Sequence, residues 1–137
     1  MKMDNFCVVI TSRGDRYLLR PVMQAMRDAN ITLRVVDLDG LSFVNAAQIF
    51  TRRVDGVNGV IILGDRFEAL AAAGAATVLS LPIVHLHGGE TTRGSFDNQI
   101  RDAITKLAHL HFVAANTYRD RLIALQETFD RIYVVGA

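Results

Sequence analysis

Apolar residues fall into six short runs along this chain, separated by longer segments in which they recur every three or four positions. Short runs rich in β-branched residues are typical of strands buried on both faces, and the longer spacing is typical of amphipathic helices. The predicted strands cover residues 6–11, 33–38, 59–63, 83–86, 110–113 and 132–135. The predicted helices cover residues 16–29, 42–54, 67–80, 97–108 and 117–127.

Strands and helices alternate from end to end, which predicts an α/β fold with a doubly wound parallel sheet and right-handed crossovers. We expect one Rossmann-like domain over residues 1–137, with strand order 2-1-3-4-5-6. In such sheets ligands bind at the carboxyl ends of the strands, beside the point where the winding reverses. The loops carrying Arg13 and Asp65 are therefore expected to face each other.

Local signals refine three of the helices. Asp15 is a plausible N-cap for the first, but Pro21 lies inside its pattern, so the regular helix is expected to begin near Leu19 or Arg20. Ser42 is expected to cap the second helix. The helix predicted from Phe67 to Ser80 is apolar nearly all round, so it is either sandwiched between neighbours or lies in a subunit interface.

Composition limits the function classes. The chain has 15 basic and 14 acidic side chains, which gives no electrostatic argument for nucleic acid or an anionic membrane. Its one cysteine, Cys7, lies in an apolar run and is expected to be an inert core thiol. The apolar run 6–11 is too short for a signal peptide or a membrane span, so we expect a soluble, cytoplasmic protein.

Acidic residues follow the third and fourth predicted strands. Asp65 comes after the third, Glu90 comes after the fourth in a loop with His87, and Asp97 begins the next helix. Converging carboxylates suit proton transfer, and Arg13 adds a cation for a phosphate or carboxylate. Helix capping by Asp65 and Asp97 is the alternative interpretation.

His85 and His87 lie two apart on a strand, so their side chains are expected to face the same way. They could be a hydrogen-bonded pair, part of a catalytic loop, or metal ligands completed by Glu90 or Asp65. Gly88 and Gly89 would let a ligand approach the backbone. The chain has no Gly-x-Gly-x-x-Gly or Walker pattern after its first strand, which disfavours dinucleotide and P-loop sites.

Several ordered motifs resemble the hydrolysing UDP-N-acetylglucosamine 2-epimerases of sialic-acid biosynthesis. The resemblance spans nearly the whole chain. It is carried by Thr-Ser-Arg-Gly-Asp (11–15), Gly-Asp-Arg-Phe-Glu-Ala-Leu (64–70), Pro-Ile-Val-His-Leu-His-Gly-Gly-Glu (82–90), Gly-Ser-Phe-Asp (94–97) and Ile-Arg-Asp-Ala-Ile-Thr-Lys (100–106).

The resemblance implies an enzyme that removes the C2 proton of UDP-N-acetylglucosamine, eliminates UDP and adds water to the glycal, which yields N-acetylmannosamine. It implies no metal and no organic cofactor. Asp65 and Asp97 match acid/base carboxylates, and Glu90 matches the acid of the Gly-Gly-Glu motif. His87 matches a position that is glutamate in some relatives and histidine in others, and we count it with the catalytic residues.

For substrate binding, the resemblance places Arg13 near the nucleotide phosphates. We expect Ser12, Arg66 and Lys106 to contribute to the same site. The substrate partner would be a UDP-sugar or a related small molecule.

Four departures from the family pattern accompany the resemblance. Members are normally more than twice this long, with two Rossmann-like domains in a GT-B-type fold, and this chain matches the first domain. The segment between Leu38 and Gly59 is shorter than in relatives. Asp102 replaces a usual histidine, and Arg16 stands where an aromatic residue is common.

These departures leave several functions open. The chain could be completed by a homo-oligomer mate, through the helix from Phe67 to Ser80, or by a partner chain carrying the UDP-binding domain. It could instead be a stand-alone sugar- or nucleotide-binding domain, a non-catalytic interaction module, or a fragment of a longer enzyme.

Overall fold

Six parallel strands form one sheet in this computed structural model, which describes residues 5–137. The strands are β1 (Asn5–Ile10), β2 (Thr32–Asp37), β3 (Gly59–Leu63), β4 (Ile83–Leu86), β5 (Leu110–Val113) and β6 (Ile132–Val134). The helices are α1 (Arg13–Leu18), α2 (Arg20–Asp28), α3 (Phe43–Arg53), α4 (Phe67–Val78), α5 (Asp97–Leu107) and α6 (Asn116–Ala124).

The strand order is β2-β1-β3-β4-β5-β6, and every pair is parallel, which confirms the predicted topology. The winding reverses between β1 and β3, where Phe6 pairs with Gly59 and Val8 with Ile61. The carboxyl ends of the strands and the N-termini of the following helices therefore share one edge of the sheet.

Two helical layers cover the sheet. Helices α3, α4 and α5 pack side by side on one face, where the alanines of α4 are buried. Helix α4 therefore lies between two helical neighbours, as one of the two alternatives predicted. On the other face, Leu19 and Met23 pack against the alternate residues of β1 and β3. Successive side chains of a strand point to opposite faces, so each central strand supplies both layers.

The first helical segment differs from the prediction. Ser12, rather than Asp15, caps α1, because its extended backbone lets its Oγ accept a hydrogen bond from the Asp15 amide at 3.1 Å. The Asp15 carboxylate is buried and accepts hydrogen bonds from Thr11. A separate helix, α2, begins at Arg20 with Pro21 in its first turn, as the sequence predicts.

Two further expectations are confirmed. The Oγ of Ser42 accepts a hydrogen bond from the Asn45 amide at 3.2 Å and so caps α3. Cys7 is fully buried in the core, and burial raises the pKa of its thiol to about 12, so it carries little thiolate at neutral pH. Among residues 5–137, no helix has the length and apolar character needed to cross a membrane.

Candidate active site

An ion pair joins the end of β3 to helix α5. Gly64 turns the chain with a φ of +83°, and the carboxylate of the next residue, Asp65, contacts the guanidinium of Arg101. The N-cap of α4 is Arg66, without a side-chain cap. The helix-capping interpretation of Asp65 is therefore wrong, because its carboxylate turns to α5 instead of the N-terminus of α4.

Arg101 is the functional candidate that sequence analysis missed. Its side chain is 8% exposed, and besides Asp65 it donates to the Glu90 carbonyl at 2.5 Å and to Asn98 Oδ1 at 2.9 Å. One buried cation thus binds the loops after β3 and β4 to α5. A signal was present in the sequence: Arg101 follows Asp97 by four residues, the spacing that places two side chains on one helix face.

His87 and Glu90 form the second pair of the site. His87 Nδ1 lies 2.7 Å from Glu90 Oε2, and each side chain is about one-third exposed. The pair is therefore accessible to solvent and to a ligand, and it lies beside the Glu90 carbonyl oxygen that accepts a hydrogen bond from Arg101.

The two histidines do not face the same way, so that prediction is wrong. His85 lies within β4 and contacts Thr105 of α5, whereas His87 follows the strand with a φ of +66° and lines a groove on the opposite face of the sheet. The strict alternation of a strand ends at Leu86. Among residues 5–137, no group of three His, Cys, Asp or Glu side chains could hold a metal ion.

The two glycines serve close packing within the protein. A Cβ on Gly88 would lie 3.0 Å from Thr105 Oγ1 and 3.1 Å from His85 Nδ1. A Cβ on Gly89 would lie 2.5 Å from the Tyr118 carbonyl oxygen of α6. Their missing side chains let the loop that carries Glu90 pack against both α5 and α6.

Asp97 is the first residue of α5, and Phe96 occupies the N-cap position. The alternative interpretation, that Asp97 caps this helix, is wrong by one position. In the part of the chain that the structure describes, its carboxylate has no hydrogen-bond partner, although its amide donates to Ser95 Oγ at 3.1 Å. The Asp97 carboxylate at the N-terminus of α5 is therefore open to a ligand.

The basic residues predicted for substrate binding occupy different places. Arg13 is exposed as the first residue of α1, directly after the N-cap Ser12 at the carboxyl end of β1. Arg66 Nε donates to Glu68 at 3.0 Å. The pKa of Arg66 is raised, first by this hydrogen bond and further by the charges of Glu68, Asp15 and Asp39.

Lys106 does not join the other site residues. It lies in the last turn of α5, nine residues beyond Asp97, which is about 13 Å along the helix axis. Its Nζ contacts Glu127 at 2.6 Å and the Leu125 carbonyl at 2.9 Å. Glu127 also lies 3.0 Å from the buried His111, so Lys106 belongs to an ion cluster at the other edge of the sheet.

Burial of His85 makes stability depend on pH. Burial lowers its pKa from 6.5 to about 4, despite its hydrogen bond to Gly64, and burial also lowers the pKa of His111. Below pH 6.5 the unfolded chain therefore binds protons that the folded chain does not. We expect the free energy of unfolding to fall between pH 6.5 and 4, by about 1.4 kcal/mol per pH unit for His85 alone.

Urea denaturation at half-unit steps from pH 7.5 to pH 4.5 measures this slope. The His85→Gln variant, which lacks the titrating ring, should show a shallower decline. A free energy of unfolding that stays constant over this range would contradict the prediction.

Comparison with known proteins decides the family. The family model described as UDP-N-acetylglucosamine 2-epimerase matches residues 40–137, well over half of the chain. The chain belongs to the UDP-N-acetylglucosamine 2-epimerase family. The sequence resemblance to that family is thereby confirmed, and four of the residues placed above at one edge, Asp65, Glu90, Asp97 and Arg101, lie in the matched range.

Curated relatives of this epimerase-family chain are much longer. The UDP-N,N'-diacetylbacillosamine 2-epimerase (hydrolyzing) of Legionella pneumophila is 53% identical over 78 residues, which are 57% of this chain and 20% of that protein. The GDP/UDP-N,N'-diacetylbacillosamine 2-epimerase (hydrolyzing) of Campylobacter jejuni is 45% identical over 78 residues, with the same shares. The alignment thus spans about a fifth of each relative's length.

Solved structures of epimerases share the fold. The UDP-GlcNAc 2-epimerase of Neisseria meningitidis, bound to UDP-GlcNAc, superposes with a TM-score of 0.87 at 18% identity. That match covers 95% of this chain and 45% of the Neisseria chain. The Methanocaldococcus jannaschii UDP-GlcNAc 2-epimerase in complex with UDP-GlcNAc and UDP superposes with a TM-score of 0.84 at 14% identity. That match covers 96% of this chain and 46% of the Methanocaldococcus chain. This epimerase-family chain thus corresponds to under half of each, as predicted for one half of a GT-B-type fold.

Proposed function

We propose that this chain supplies the acid/base half of a hydrolysing UDP-N-acetylglucosamine 2-epimerase-like site, and that residues 1–137 make one domain. The observation that carries the proposal is the arrangement around Arg101. The buried guanidinium holds Asp65 and the Glu90 loop at the sheet edge, with His87 and Asp97 beside them. Ordered carboxylates and a histidine at the ends of parallel strands suit proton transfer to and from a bound sugar.

The first half of the proposed reaction is elimination. Asp97, whose carboxylate is open among the described residues, takes the proton from C2 of the sugar. The electron pair of that C–H bond forms the C1–C2 double bond as the bond from C1 to the UDP oxygen breaks. His87, oriented by Glu90 at 2.7 Å, gives a proton to the departing phosphate oxygen.

Hydration of the glycal completes the proposed reaction. Asp65, held in place by Arg101, accepts a proton from a water whose oxygen bonds to C1. Inversion at C2 requires a proton on the face opposite to Asp97, so the proton that Asp65 takes from the water is delivered to C2 on that face, which gives N-acetylmannosamine, and Asp97 releases its proton to solvent. Arg13, Arg66 and Ser12 lie at the loops beside the winding reversal, where their donors suit the diphosphate.

The remaining contacts to the nucleotide would come from a second domain. Because the solved epimerases are more than twice as long as their match to this chain, we propose that a partner chain, a homo-oligomer mate or further sequence supplies that domain. A chain whose one cysteine is buried and unpaired suits the cytoplasm, where disulfides are rare.

Release of UDP in D₂O tests the proposal. The chain would be assayed alone and fused to the part of the Neisseria meningitidis epimerase that it does not cover. UDP-N-acetylglucosamine and UDP-N,N'-diacetylbacillosamine would serve as substrates. We expect the fusion to release UDP and a 2-epimeric sugar carrying deuterium at C2, because proton removal and return exchange that position with solvent.

A matched fusion with Asp65→Asn serves as the control and should form almost no 2-epimeric sugar, because Asp65 acts in the hydration step. A folded fusion that binds UDP but releases none from either substrate would contradict the catalytic proposal. That outcome, together with sugar binding by the chain alone, would favour the alternative of a sugar-binding domain.

A further inference from the structure

We propose that His85 is a positioning residue whose imidazole keeps Asp65 and Arg101 in the arrangement that catalysis requires. The inference rests on the proposed function, because it assigns a role toward the acid/base site. His85 itself touches no solvent and cannot reach a substrate, since its side chain is fully buried. Its contribution must therefore act through the groups that it contacts.

Both ring nitrogens of His85 contact elements that carry the site. Nε2 lies 2.8 Å from the carbonyl oxygen of Gly64, the residue directly before Asp65. Nδ1 lies 3.1 Å from Thr105 Oγ1, and Thr105 follows Arg101 by four residues on α5. The imidazole of His85 therefore links the backbone next to the Asp65 carboxylate to the turn of α5 that follows Arg101.

The chemistry of the partners fixes the tautomer. A carbonyl oxygen only accepts, so Nε2 carries the proton and donates it to Gly64. Nδ1 then accepts from the Thr105 hydroxyl. Burial keeps the ring neutral by lowering its pKa to about 4, so this single arrangement holds at neutral pH. A protonated ring would lose the acceptor that Thr105 needs.

Gly88 leaves the room that this bridge requires. A Cβ at that position would come within 3.1 Å of both His85 Nδ1 and Thr105 Oγ1. Such contacts are tighter than ordinary van der Waals packing and would separate the ring from the hydroxyl. The first histidine and the first glycine of the segment His-Leu-His-Gly-Gly-Glu therefore belong to one packing unit behind the acid/base groups.

Two substitutions at His85 separate positioning from bulk packing. His85→Gln keeps an N–H donor near the place of Nε2, whereas the shorter His85→Asn cannot reach Gly64. In the fusion enzyme we expect Asn to lower kcat about a hundredfold with little change in KM, as for a misplaced catalytic group. Gln should recover at least about a tenth of wild-type kcat. His109→Asn, at the other edge of the sheet, is the matched control and should leave kcat unchanged.

Nuclear magnetic resonance of the 137-residue chain gives a readout without turnover. The buried guanidinium N–H signals of Arg101 should persist in His85→Gln and broaden or vanish in His85→Asn, while circular dichroism shows both variants folded. Equal kcat in the two variants, with kcat tracking only the melting temperature, would overturn the proposal. If the wild-type fusion releases no UDP, the proposed function fails, and unchanged Arg101 signals in His85→Asn would separately overturn the positioning role.

Discussion

Replacing Asp65 with asparagine is expected to lower kcat for formation of the 2-epimeric sugar by about 10²–10⁴-fold, the range that a positioned general acid or base supplies. Asparagine preserves the shape of the side chain but can neither accept a full proton nor neutralise Arg101, whose side chain is 8% exposed. The guanidinium would keep its contacts to Glu90 and Asn98, so the loop should stay ordered. Steady-state assays of the fusion enzyme measure the loss.

Asp55→Asn is the control for this prediction. It makes the same chemical change at an exposed position in the turn before β3, at the amino edge of the sheet. Its kcat should equal that of the wild type. If Asp65→Asn retained more than about a tenth of wild-type kcat, the acid/base role of Asp65 would be wrong, since a general acid or base contributes at least 10²-fold.

Replacing Gly89 with alanine is expected to lower the free energy of unfolding by about 2–5 kcal/mol, from overpacking and a left-handed backbone together. The new Cβ would lie 2.5 Å from the Tyr118 carbonyl oxygen and 2.7 Å from Leu122 Cδ1. The φ of +82° adds strain for any residue with a Cβ. Since domains have only about 5–15 kcal/mol of stability, urea denaturation should show a large decrease in the midpoint.

The substitution Gly74→Ala is expected to have the opposite effect on the free energy of unfolding. Gly74 lies inside α4, where a Cβ would meet nothing within 4 Å and the backbone is not left-handed. Alanine should raise the free energy of unfolding by about 0.5–1 kcal/mol through its better helix propensity. If the two variants changed stability equally, the close packing of Gly89 against α6 would be refuted.

The strand order illustrates what pattern alone can establish. Six β-branched runs, the first five each followed by a segment with helical spacing, allow few sheets other than a doubly wound one, because crossovers between parallel strands are right-handed. Ser42 was also predictable, since an N-cap acts on an amide three residues away. Such signals are local, so neighbouring residues contain all the information that they need.

Helix ends were less predictable because their signals compete. Ser12 and Asp15 can both cap a helix, and the structure uses Ser12 for the cap and buries Asp15 against Thr11. The last helix was predicted to extend to residue 127, but α6 ends at Ala124. The chain turns at Gln126 with a φ of +70°, a conformation that the sequence did not signal.

The sequence by itself determined the sheet, its order, the family and the edge where Asp65, Glu90 and Asp97 gather. Only the tertiary structure decided their partners: Arg101 for Asp65, His87 for Glu90, and a distant ion cluster for Lys106. The physical reason is distance along the chain. Asp65 and Arg101 are 36 residues apart, and such a contact depends on how two crossovers pack, which no local pattern of residues encodes.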